Sequence, residues 1–475
     1  MKKLISIVLA IVILLPCLFG CATTETEETT SNDEVVTTSR YEDFPNIAKQ
    51  DNGGKKFNII YPQWMLYENY YFAEEYSGEL VDKANYERDV SIEEYLGIDL
   101  VSMSGGDIDS TINQIKTAKM GGMDDYQLAL THCYSSVISA ATGGFFEDLS
   151  NTPNLNLDAK YWRKEQMQSV AIDGAMYLGT GSYIIPDPCV MLFNKDMISK
   201  YGDLSVDDLY QSVVDKKWTV EKLKLYASHV AVDVNENIDP KDGTYGFTTM
   251  DDWTLCSFMA PSNYFIVEPT SNGKYDLLDF NERIDNIIDV VGSLYSSDYT
   301  YVWSSANPYP ITVGSGRTMF VTESLSDTIK TVSLSESHAG ILPIPAIEEG
   351  MEHQQLDWAG YVVIPSSVVD KQLSGAVLEL LCYFGEKDVY PAFYEKILGS
   401  RTADAPKDAE MIDIIFDSLV LDPGLAFLNN GASAMANIFY VVPRVLKQGG
   451  EGVSSWYEKN YDAALIALYQ VIYPK

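Results

Sequence analysis

The chain alternates between short apolar runs and longer stretches whose apolar residues recur at helical spacing. The runs have the length of β-strands and lie at residues 57–61, 98–101 and 128–131. In the first intervening stretch Ile92 and Leu96 share one helical face, and Gly97 follows at a position where helices commonly end. In the second stretch Ile108 and Ile112 begin a similar face before a pair of glycines interrupts the pattern. This β-α-β-α-β order predicts an α/β fold with a parallel sheet and right-handed crossovers.

Aromatic and polar side chains follow the predicted strands at their carboxyl ends. Tyr61 and Trp64 come at and after the end of the first strand, and His132 and Tyr134 follow the third. Ligands bind outside the carboxyl ends of the strands in an open parallel sheet. Rings and hydroxyls at this edge suit stacking and hydrogen bonding better than catalysis. The sequence therefore predicts one wall of a binding site there.

The N-terminus has the pattern of an export signal. Two lysines precede an uncharged apolar run over residues 4–19. This run is short for a stable membrane span, which needs about 20 apolar residues. It ends in Leu-Phe-Gly-Cys, which resembles the bacterial lipobox, and that resemblance implies a lipoprotein signal peptide over residues 1–20 and a diacylated Cys21. The alternative is an uncleaved anchor helix with an incidental cysteine. Both alternatives place the body outside the cytoplasmic membrane, tethered to its outer face.

Residues 21–54 have the composition of a flexible tether. Threonine and acidic residues dominate this segment after Cys21, and few of its side chains are apolar. Such a segment buries too little surface to offset the entropy lost on ordering, so it stays disordered. A flexible chain of this length spans roughly 25–30 Å. We therefore expect an acidic, Thr-rich spacer between the lipid anchor and a folded body that begins at residue 55.

The composition limits the class of the folded body. The chain is 46% hydrophobic and 12% aromatic, which indicates a well-packed core, and its length favours two lobes over one. The formal net charge of −35 argues against nucleic acid and anionic lipid as partners, because both are anionic. The mature cysteines beyond Cys21 are widely spaced, and we expect free buried thiols at Cys133, Cys189, Cys256 and Cys382.

A series of motifs from residue 173 onward resembles one protein family. An Asp-Gly turn at residues 173–174 is followed by Pro186 and by an apolar run that ends in Asn-Lys-Asp at residues 194–196. This passage is similar to that of the family 1 extracellular solute-binding proteins, which include the maltose-binding-protein-like receptors of ABC importers. Further segments agree with the family in their order along the chain, at residues 218–219, 243–247, 316–320, 340–345 and 358–365.

The resemblance implies a two-lobed α/β fold of the periplasmic-binding-protein type (type II), with interleaved lobes joined by crossing strands. On that template one lobe comprises residues 55–186 and 360–400, and the other comprises residues 188–358 and 401–475. The resemblance also implies a monomer without a cofactor that captures a small solute by hinge closure. The solute would pass to the transmembrane permease subunits of an ABC importer.

The aromatic content points to a carbohydrate ligand. The chain has 32 Tyr and 7 Trp, and aromatic rings pack against the C–H faces of sugars while acids and amides bind the hydroxyls. We therefore expect a solute of the oligosaccharide class. The candidate ligand-binding residues, chosen by their position after predicted strands and near the crossings, are Tyr61, Trp64, His132, Tyr134, Asp251, Trp253, Trp303, Glu323, Trp358 and Tyr361. Trp253 and Trp358 lead this set, because each stands beside an acid.

No catalytic or metal-binding motif accompanies these residues. The four histidines form no H-x-H or H-E-x-x-H pattern, and the chain has neither a G-x-S-x-G elbow nor a phosphate loop. The sequence therefore predicts a binding protein without metal or cofactor rather than an enzyme. Two alternatives stay open: a surface carbohydrate receptor or sensor without transport, and a glycoside hydrolase, since 68 acidic residues make some close carboxylate pair inevitable. Arg88 and Arg401 either reach an anionic ligand or pair with carboxylates.

Overall fold

The structure is a computed structural model of the whole chain, and part of the chain is described. The described residues are 43–73, 75–134, 136–230, 242–304, 311, 313–328, 339–398, 405–428 and 433–474. The predicted signal peptide, Cys21 and Arg401 lie outside them. Pro45–Lys475 packs as one unit.

Strands and helices alternate along this unit. The strands are β1 (Lys55–Tyr61), β2 (Ile98–Ser104), β3 (Leu128–Thr131), β4 (Cys189–Asn194), β5 (Tyr245–Met250), β6 (Val267–Pro269), β7 (Tyr275–Leu277), β8 (Thr300–Trp303), β9 (Thr318–Ser324), β10 (Ala339–Leu342), β11 (Gln355–Leu356), β12 (Tyr361–Val363) and β13 (Leu419–Val420). The α-helices are α1 (Met65–Tyr70), α2 (Leu80–Leu96), α3 (Ile108–Gly121), α4 (Val137–Thr142), α5 (Lys164–Ser169), α6 (Lys195–Ile198), α7 (Val206–Val214), α8 (Val220–Ala227), α9 (Trp253–Cys256), α10 (Glu282–Tyr295), α11 (Lys371–Phe384), α12 (Tyr390–Leu398), α13 (Ala405–Asp417), α14 (Pro423–Ala426), α15 (Met435–Phe439), α16 (Val441–Leu446) and α17 (Val453–Ile472).

The first sheet has the strand order β12-β3-β1-β2. β1 runs parallel to β2 and to β3, as the apolar pattern predicted, with Phe57 opposite Leu100. α2 ends where Gly97 adopts a left-handed φ of 63°, and Gly122 ends α3 at a φ of 65°. These positions favour glycine, because a side chain is strained in that region. β12 comes from much later in the chain and runs antiparallel to β3.

The second sheet has the strand order β10-β4-β9-β5-β8. β5 runs parallel to β8 and β9, whereas β4 runs antiparallel to β9 and β10. Every residue of β4, β5 and β9 is buried, as expected for strands covered on both faces. α8 begins after Thr219, whose side chain accepts a hydrogen bond from the N–H of Lys222.

The antiparallel strands bring their amino ends to the carboxyl edges of both sheets. Tyr361, the first residue of β12, pairs with Thr131, the last residue of β3. In the second sheet Cys189, the first residue of β4, pairs with Ser324, the last residue of β9. The segments that enter β4 and β12 therefore lie beside the loops that leave β9 and β3.

The segment that enters β4 and the segment that enters β12 each connect one sheet to the other, and we call them the two passages. The two passages contact each other. Pro188 and Asp357 form an antiparallel bridge, and the N–H of Asp187 donates to the Asp357 carboxylate at 2.9 Å. The same carboxylate accepts the N–H of Ala359 at 3.0 Å and lies 3.4 Å from the guanidinium of Arg163. Buried ionic and backbone contacts thus hold the two passages together.

The folded body begins upstream of the predicted boundary at residue 55. Ile47 is buried, and its carbonyl accepts the hydroxyl of Tyr95 at 2.7 Å. The side-chain amide of Asn52 donates to the carbonyl of Leu96 at 2.7 Å. These contacts fix the segment before β1 against the carboxyl-terminal end of α2, so its last residues are part of the body rather than of a spacer.

Arg88 is buried within α2. Its guanidinium donates to the carboxylate of Asp89 at 2.8 Å, to the side chain of Asn85 at 2.8 Å and to the carbonyl of Tyr71 at 2.9 Å. The ring of Tyr183 covers it, with the guanidinium carbon 5.3 Å from the ring centroid. Of the two alternatives for Arg88, the structure shows the pairing with a carboxylate.

The cysteine prediction is confirmed. Cys133, Cys189, Cys256 and Cys382 are free and buried. Burial raises the pKa of each thiol, so the thiols stay protonated and unreactive at neutral pH. Within the described ranges, no helix combines the length and the apolar character needed to cross a membrane.

A substitution at Gly360 tests how closely β12 approaches β3. A Cβ at this position would overlap the carbonyl oxygen of Thr131 and the hydroxyl of Tyr67, which donates to the same carbonyl at 2.5 Å. Because the backbone of β3 cannot yield, we expect Gly360→Ala to lower the free energy of unfolding by at least about 2 kcal/mol in urea titrations. Gly202→Ala is the control, since a Cβ at Gly202 meets nothing within 4 Å. A Gly360→Ala protein as stable as this control would contradict the described contact.

Candidate functional site

A cavity of about 290 Å³ lies where the carboxyl edges of the two sheets meet. The aromatic cavity, as we name it, is lined by Trp64, His132, Cys133 and Tyr134 from the first sheet and by Asp252, Trp253, Ser324, Ser326 and Asp327 from the second. Asp187 and Trp358 contribute from the two passages, and Tyr440 from the turn between α15 and α16. Larger concavities of about 470 Å³ and 850 Å³ lie beside β6 and β13 and beside β7 and α17. Both are away from the carboxyl edges.

The rings of Trp64, His132 and Tyr134 lie next to one another and form the wall of the cavity that comes from the first sheet. The ring centroids of Trp64 and His132 are 4.4 Å apart, and those of His132 and Tyr134 are 4.3 Å apart. Trp64 stands where β1 turns into α1, and its ring also meets the edge of Tyr67 at 5.2 Å. Burial lowers the pKa of His132 to about 3, so its imidazole is neutral at physiological pH. This wall is therefore aromatic and uncharged.

Two tryptophans, Trp253 and Trp358, also line the aromatic cavity. Trp253 starts α9 after β5, and Trp358 lies on the passage before β12; their ring centroids are 5.3 Å apart with the planes at 70°. The indole N–H of Trp358 donates to the hydroxyl of Ser257 at 3.1 Å, and its ring packs on Phe439 at 5.9 Å. Trp358 is held in one orientation by these contacts, whereas Trp253 stays half-buried.

Carboxylates and hydroxyls complete the lining. The Asp187 carboxylate accepts the N–H of Ser326 at 2.8 Å and its hydroxyl at 3.1 Å, and the hydroxyls of Ser324 and Ser326 are 3.1 Å apart. Burial raises the pKa of Asp187 to about 7, and the charge of Asp327 acts in the same direction against the Ser326 hydrogen bonds. The carboxyl of Asp187 is therefore partly protonated at neutral pH.

Tyr440 and Asp252 lie near each other on the rim of the second sheet. The charge of Asp252 adds to burial in raising the pKa of both Tyr134 and Tyr440, that of Tyr134 to about 12. Both hydroxyls are therefore protonated donors at neutral pH. The ring of Tyr440 packs on Phe439 at 5.1 Å on one side and lies under Arg444 at 5.8 Å.

The structure brings part of the predicted binding set together. Trp64, His132, Tyr134, Trp253 and Trp358 line the aromatic cavity. The others lie outside its lining: Tyr61, Asp251, Trp303, Glu323 and Tyr361. Whether the five that line the cavity contact a ligand stays a prediction.

The five predicted residues outside the lining are held away from the cavity by contacts in or beside the sheets. Glu323, Trp303 and Tyr361 belong to strands and are buried inside them, opposite Val190, Met250 and Thr131. Tyr61 is the last residue of β1 and packs on Phe72 at 4.6 Å. Asp251 forms an ion pair with Lys447 at 3.2 Å. Side chains within a strand alternate between its faces, so most of them point into the layers beside the sheet rather than beyond its edge.

Some lining residues were not predicted from the sequence. Most of these had a signal in the sequence that was not used, and one had no signal. Ser324 ends β9, and Ser326 and Asp327 follow it. The rule that ligand-binding residues stand at the carboxyl ends of strands, which we call the strand-end rule, selected Glu323 here; applied one to four residues after Glu323, it would have found these three residues. Asp187 stands alone as a charge in the apolar segment 184–190, which is itself a signal of a functional or structural role. Tyr440 belongs to no motif, and its place in the site depends on the packing of α15 and α16.

The arrangement suits reversible recognition of a polar molecule that has apolar faces. Rings, acceptors and donors line the same cavity, as in other small-molecule sites. Among the described residues, no group of three or more His, Cys, Asp and Glu side chains is placed to hold a metal ion. The chemistry on the lining is that of stacking and hydrogen bonding.

Solved structures resemble this one, although no protein-family model and no curated protein matches the chain. The GacH receptor of Streptomyces glaucescens, solved unliganded and with acarbose, has 15% identity and a TM-score of 0.57 over 87% of this chain and 98% of its own. A cyclo/maltodextrin-binding protein complexed with maltotetraose has 12% identity and a TM-score of 0.59 over 90% and 99%. The ABC substrate-binding protein Lmo0181 of Listeria monocytogenes, in complex with cycloalternan, has 12% identity and a TM-score of 0.57 over 88% and 99%.

These likenesses establish the fold. The predicted two-lobed, periplasmic-binding-protein-like α/β fold with crossing strands is confirmed. Identities of this size do not carry function from one chain to another, because one fold serves many functions. The function has to be argued from the aromatic cavity itself.

The pKa of Asp187 predicts a pH dependence of stability. The folded state raises this pKa from 3.8 to about 7. Between about pH 4 and pH 7, the folded protein therefore keeps a proton on Asp187 that the unfolded chain has lost. This contribution to stability is complete below pH 4 and is lost as the pH rises through 7. Asp187→Asn cannot ionise, and its amide preserves the shape. We expect the free energy of unfolding of the variant to rise relative to wild type by roughly 4 kcal/mol across this window.

Chemical denaturation at a series of pH values measures the effect. Asp158→Asn is the control, because Asp158 is an exposed carboxylate in an ion pair with Lys164. We expect its pH profile to follow that of wild type. If Asp187→Asn also follows wild type, the carboxyl of Asp187 is not buried as described.

Proposed function

We propose that this chain is an extracytoplasmic solute-binding lipoprotein of an ABC importer, which captures a saccharide in the aromatic cavity and does not alter it chemically. The observation that carries the proposal is the lining itself. The rings of Trp64, Tyr134, Trp253 and Trp358 line one cavity together with carboxylates and serine hydroxyls. Sugar rings offer C–H faces to such rings and hydroxyls to such acceptors.

The fold supports this proposal without identifying the solute. The structural neighbours were solved with acarbose, maltotetraose and cycloalternan, and all of these ligands are carbohydrates. The size of the aromatic cavity, about 290 Å³, is at the small end of the range for small-molecule sites. We therefore propose a saccharide of which one or two rings are enclosed.

We further propose that capture occurs by hinge closure at the two passages. The aromatic cavity takes residues from both sheets, so a bound solute bridges them, while residues 187–188 and 357–360 connect them. A ligand that contacts both sides binds the closed form better and shifts the population toward it by that difference in affinity. In this proposal residues 55–186 and 360–400 move against residues 188–358 and 401–475.

The membrane attachment and the delivery step complete the proposal. Cys21 would carry the lipid, and the acidic segment after it would act as the spacer that lets the body reach a permease. The permease subunits would accept the closed, loaded form. The support for the anchor, the spacer and the delivery step is the N-terminal sequence pattern.

Loss of one indole tests the binding site. We expect Trp253→Ala to weaken saccharide binding about five- to thirtyfold, because an aromatic contact in a closed site contributes on the order of 1–2 kcal/mol. Calorimetric titration with glucose, cellobiose, maltose and maltotetraose measures the affinity, with trialanine as the non-saccharide comparison. Small-angle scattering of the same mixtures should show a smaller radius of gyration for the loaded wild-type protein.

Trp456→Ala is the matched control. Trp456 is also half-buried, but it lies on α17 and donates to the carbonyl of Asn437 at 2.7 Å, away from the aromatic cavity. We expect this variant to bind like wild type. Binding of trialanine but of no saccharide would refute the carbohydrate proposal, and binding with an unchanged radius would refute hinge closure.

Replacement of the proposed lipidated residue tests the anchor. In cells that express the chain, we expect Cys21→Ser to move the protein from the membrane fraction into the medium or the periplasm, since a lipid anchor on that cysteine would be lost. Cys133→Ser is the control, because Cys133 is buried in the body and we expect its membrane fraction to remain. Membrane retention of Cys21→Ser would exclude lipid attachment at this residue.

A further inference from the structure

We propose that the concavity beside β6 and β13 is a second binding site, which takes a small apolar amine. This concavity, which we name the amide cavity, has a volume of about 470 Å³, within the range of small-molecule sites. None of its described lining residues lines the aromatic cavity. The inference therefore goes beyond saccharide capture and does not depend on it.

The amide cavity has an apolar floor. Its lining comes from β6 and β13, which belong to two different two-stranded sheets, from α5 and from neighbouring residues. Val267, Leu419 and Leu421 line it and are buried. Phe265 and Pro423 add further apolar surface. This surface is removed from water when a ligand with an apolar body binds, so the floor favours such a ligand.

Two side-chain amide oxygens in this lining have no hydrogen-bond partner. The Oε1 atoms of Gln166 and Gln354 are buried, and neither accepts a hydrogen bond from any described residue. The amide of Gln166 is fixed in orientation, because its Nε2 donates to the carbonyl of Leu419 at 2.8 Å. A buried acceptor without a donor costs free energy, and a ligand with N–H donors removes that cost. The two oxygens therefore indicate a ligand that donates hydrogen bonds.

The other polar side chains of the lining favour a positively charged donor. Glu165 and Glu268 line the amide cavity and are exposed. The hydroxyl of Ser169 donates to the carbonyl of Gln166 at 2.8 Å. No lysine, arginine or histidine is among the described lining residues. Carboxylate and amide oxygens bind a charged N–H donor more strongly than a neutral one, so an ammonium group fits this lining and a carboxylate or phosphate ligand does not.

A neutral alcohol of the same shape is the competing occupant. Its hydroxyl has one donor, against the three donors of an ammonium group. One hydroxyl therefore cannot serve both amide oxygens at full strength. A saccharide has more donors, but Phe265 is the single aromatic residue in the described lining, so the amide cavity lacks the set of rings that the aromatic cavity offers to a sugar.

Three probes separate these features. Tryptamine has an apolar ring system and an ammonium group at neutral pH; tryptophol has the same ring system with a hydroxyl; and ethanolamine has an ammonium group without an apolar body. In calorimetric titration of the full-length protein in detergent, we expect tryptamine to bind at least about fivefold more tightly than tryptophol. We expect no measurable binding of ethanolamine. Titration of the detergent alone corrects for partition of the probes into micelles.

Two glutamines provide a variant and its control. Gln354→Met keeps the length of the side chain and removes the buried oxygen, so we expect it to weaken tryptamine binding at least about tenfold. Because that oxygen has no partner in the protein, we also expect the midpoint of thermal unfolding to stay at or above that of wild type. A glutamine with a purely structural role would give the opposite pattern. Gln372→Met is the control, since Gln372 is exposed on α11 outside the lining, and we expect it to bind tryptamine like wild type.

The variant Trp253→Ala shows which cavity the amine occupies. Trp253 lines the aromatic cavity and not the amide cavity, so we expect this variant to bind tryptamine like wild type. Loss of tryptamine binding in Trp253→Ala would place the amine in the aromatic cavity and overturn the second site. Equal affinity for tryptamine and tryptophol would overturn the selection of an amine, and the absence of tryptamine binding to wild type would overturn the whole inference. Each of these results leaves saccharide capture to its own test.

Discussion

The structure depends on the contact between the two passages that connect its sheets. Pro188 and Asp357 pair through their backbones, and the Asp357 carboxylate accepts from Asp187 and Ala359 while Arg163 compensates its charge. Removal of one partner from such a buried network leaves a charge unpaired, which is far more costly than the network is stabilising. This contact fixes where β4 and β12 begin. It thereby sets the position of each sheet edge against the other.

The site follows from strand direction. Parallel strands deliver the loops after β1, β3, β5 and β9 to the edges, and the antiparallel β4 and β12 deliver the passages to the same place. The backbone arrangement is thus independent of which side chains stand on the loops. This independence explains how chains with 12–15% identity share the fold, and it leaves the loops open to change without loss of the fold.

The parts of the structure that depend on local pattern were predictable from the sequence. The β1–β3 unit followed from apolar periodicity and from Gly97, and the strand-end rule found Trp64, His132, Tyr134 and Trp253. The choice of residues near the crossings was less successful: Trp303 and Tyr361 look like ligand-binding rings in sequence, yet both belong to strands and are buried in the core. Residues that reach the site through tertiary packing alone carry no local signal, and sequence reasoning has no means to find them.

Tyr440 is the clearest example of such a residue, and its position has a consequence for biogenesis. The aromatic cavity is assembled from segments that extend from Trp64 to Tyr440, so it is complete only after nearly all of the polypeptide has been made. A ligand of this cavity cannot assist the early stages of folding. A nascent chain therefore has to reach its native topology on internal contacts alone.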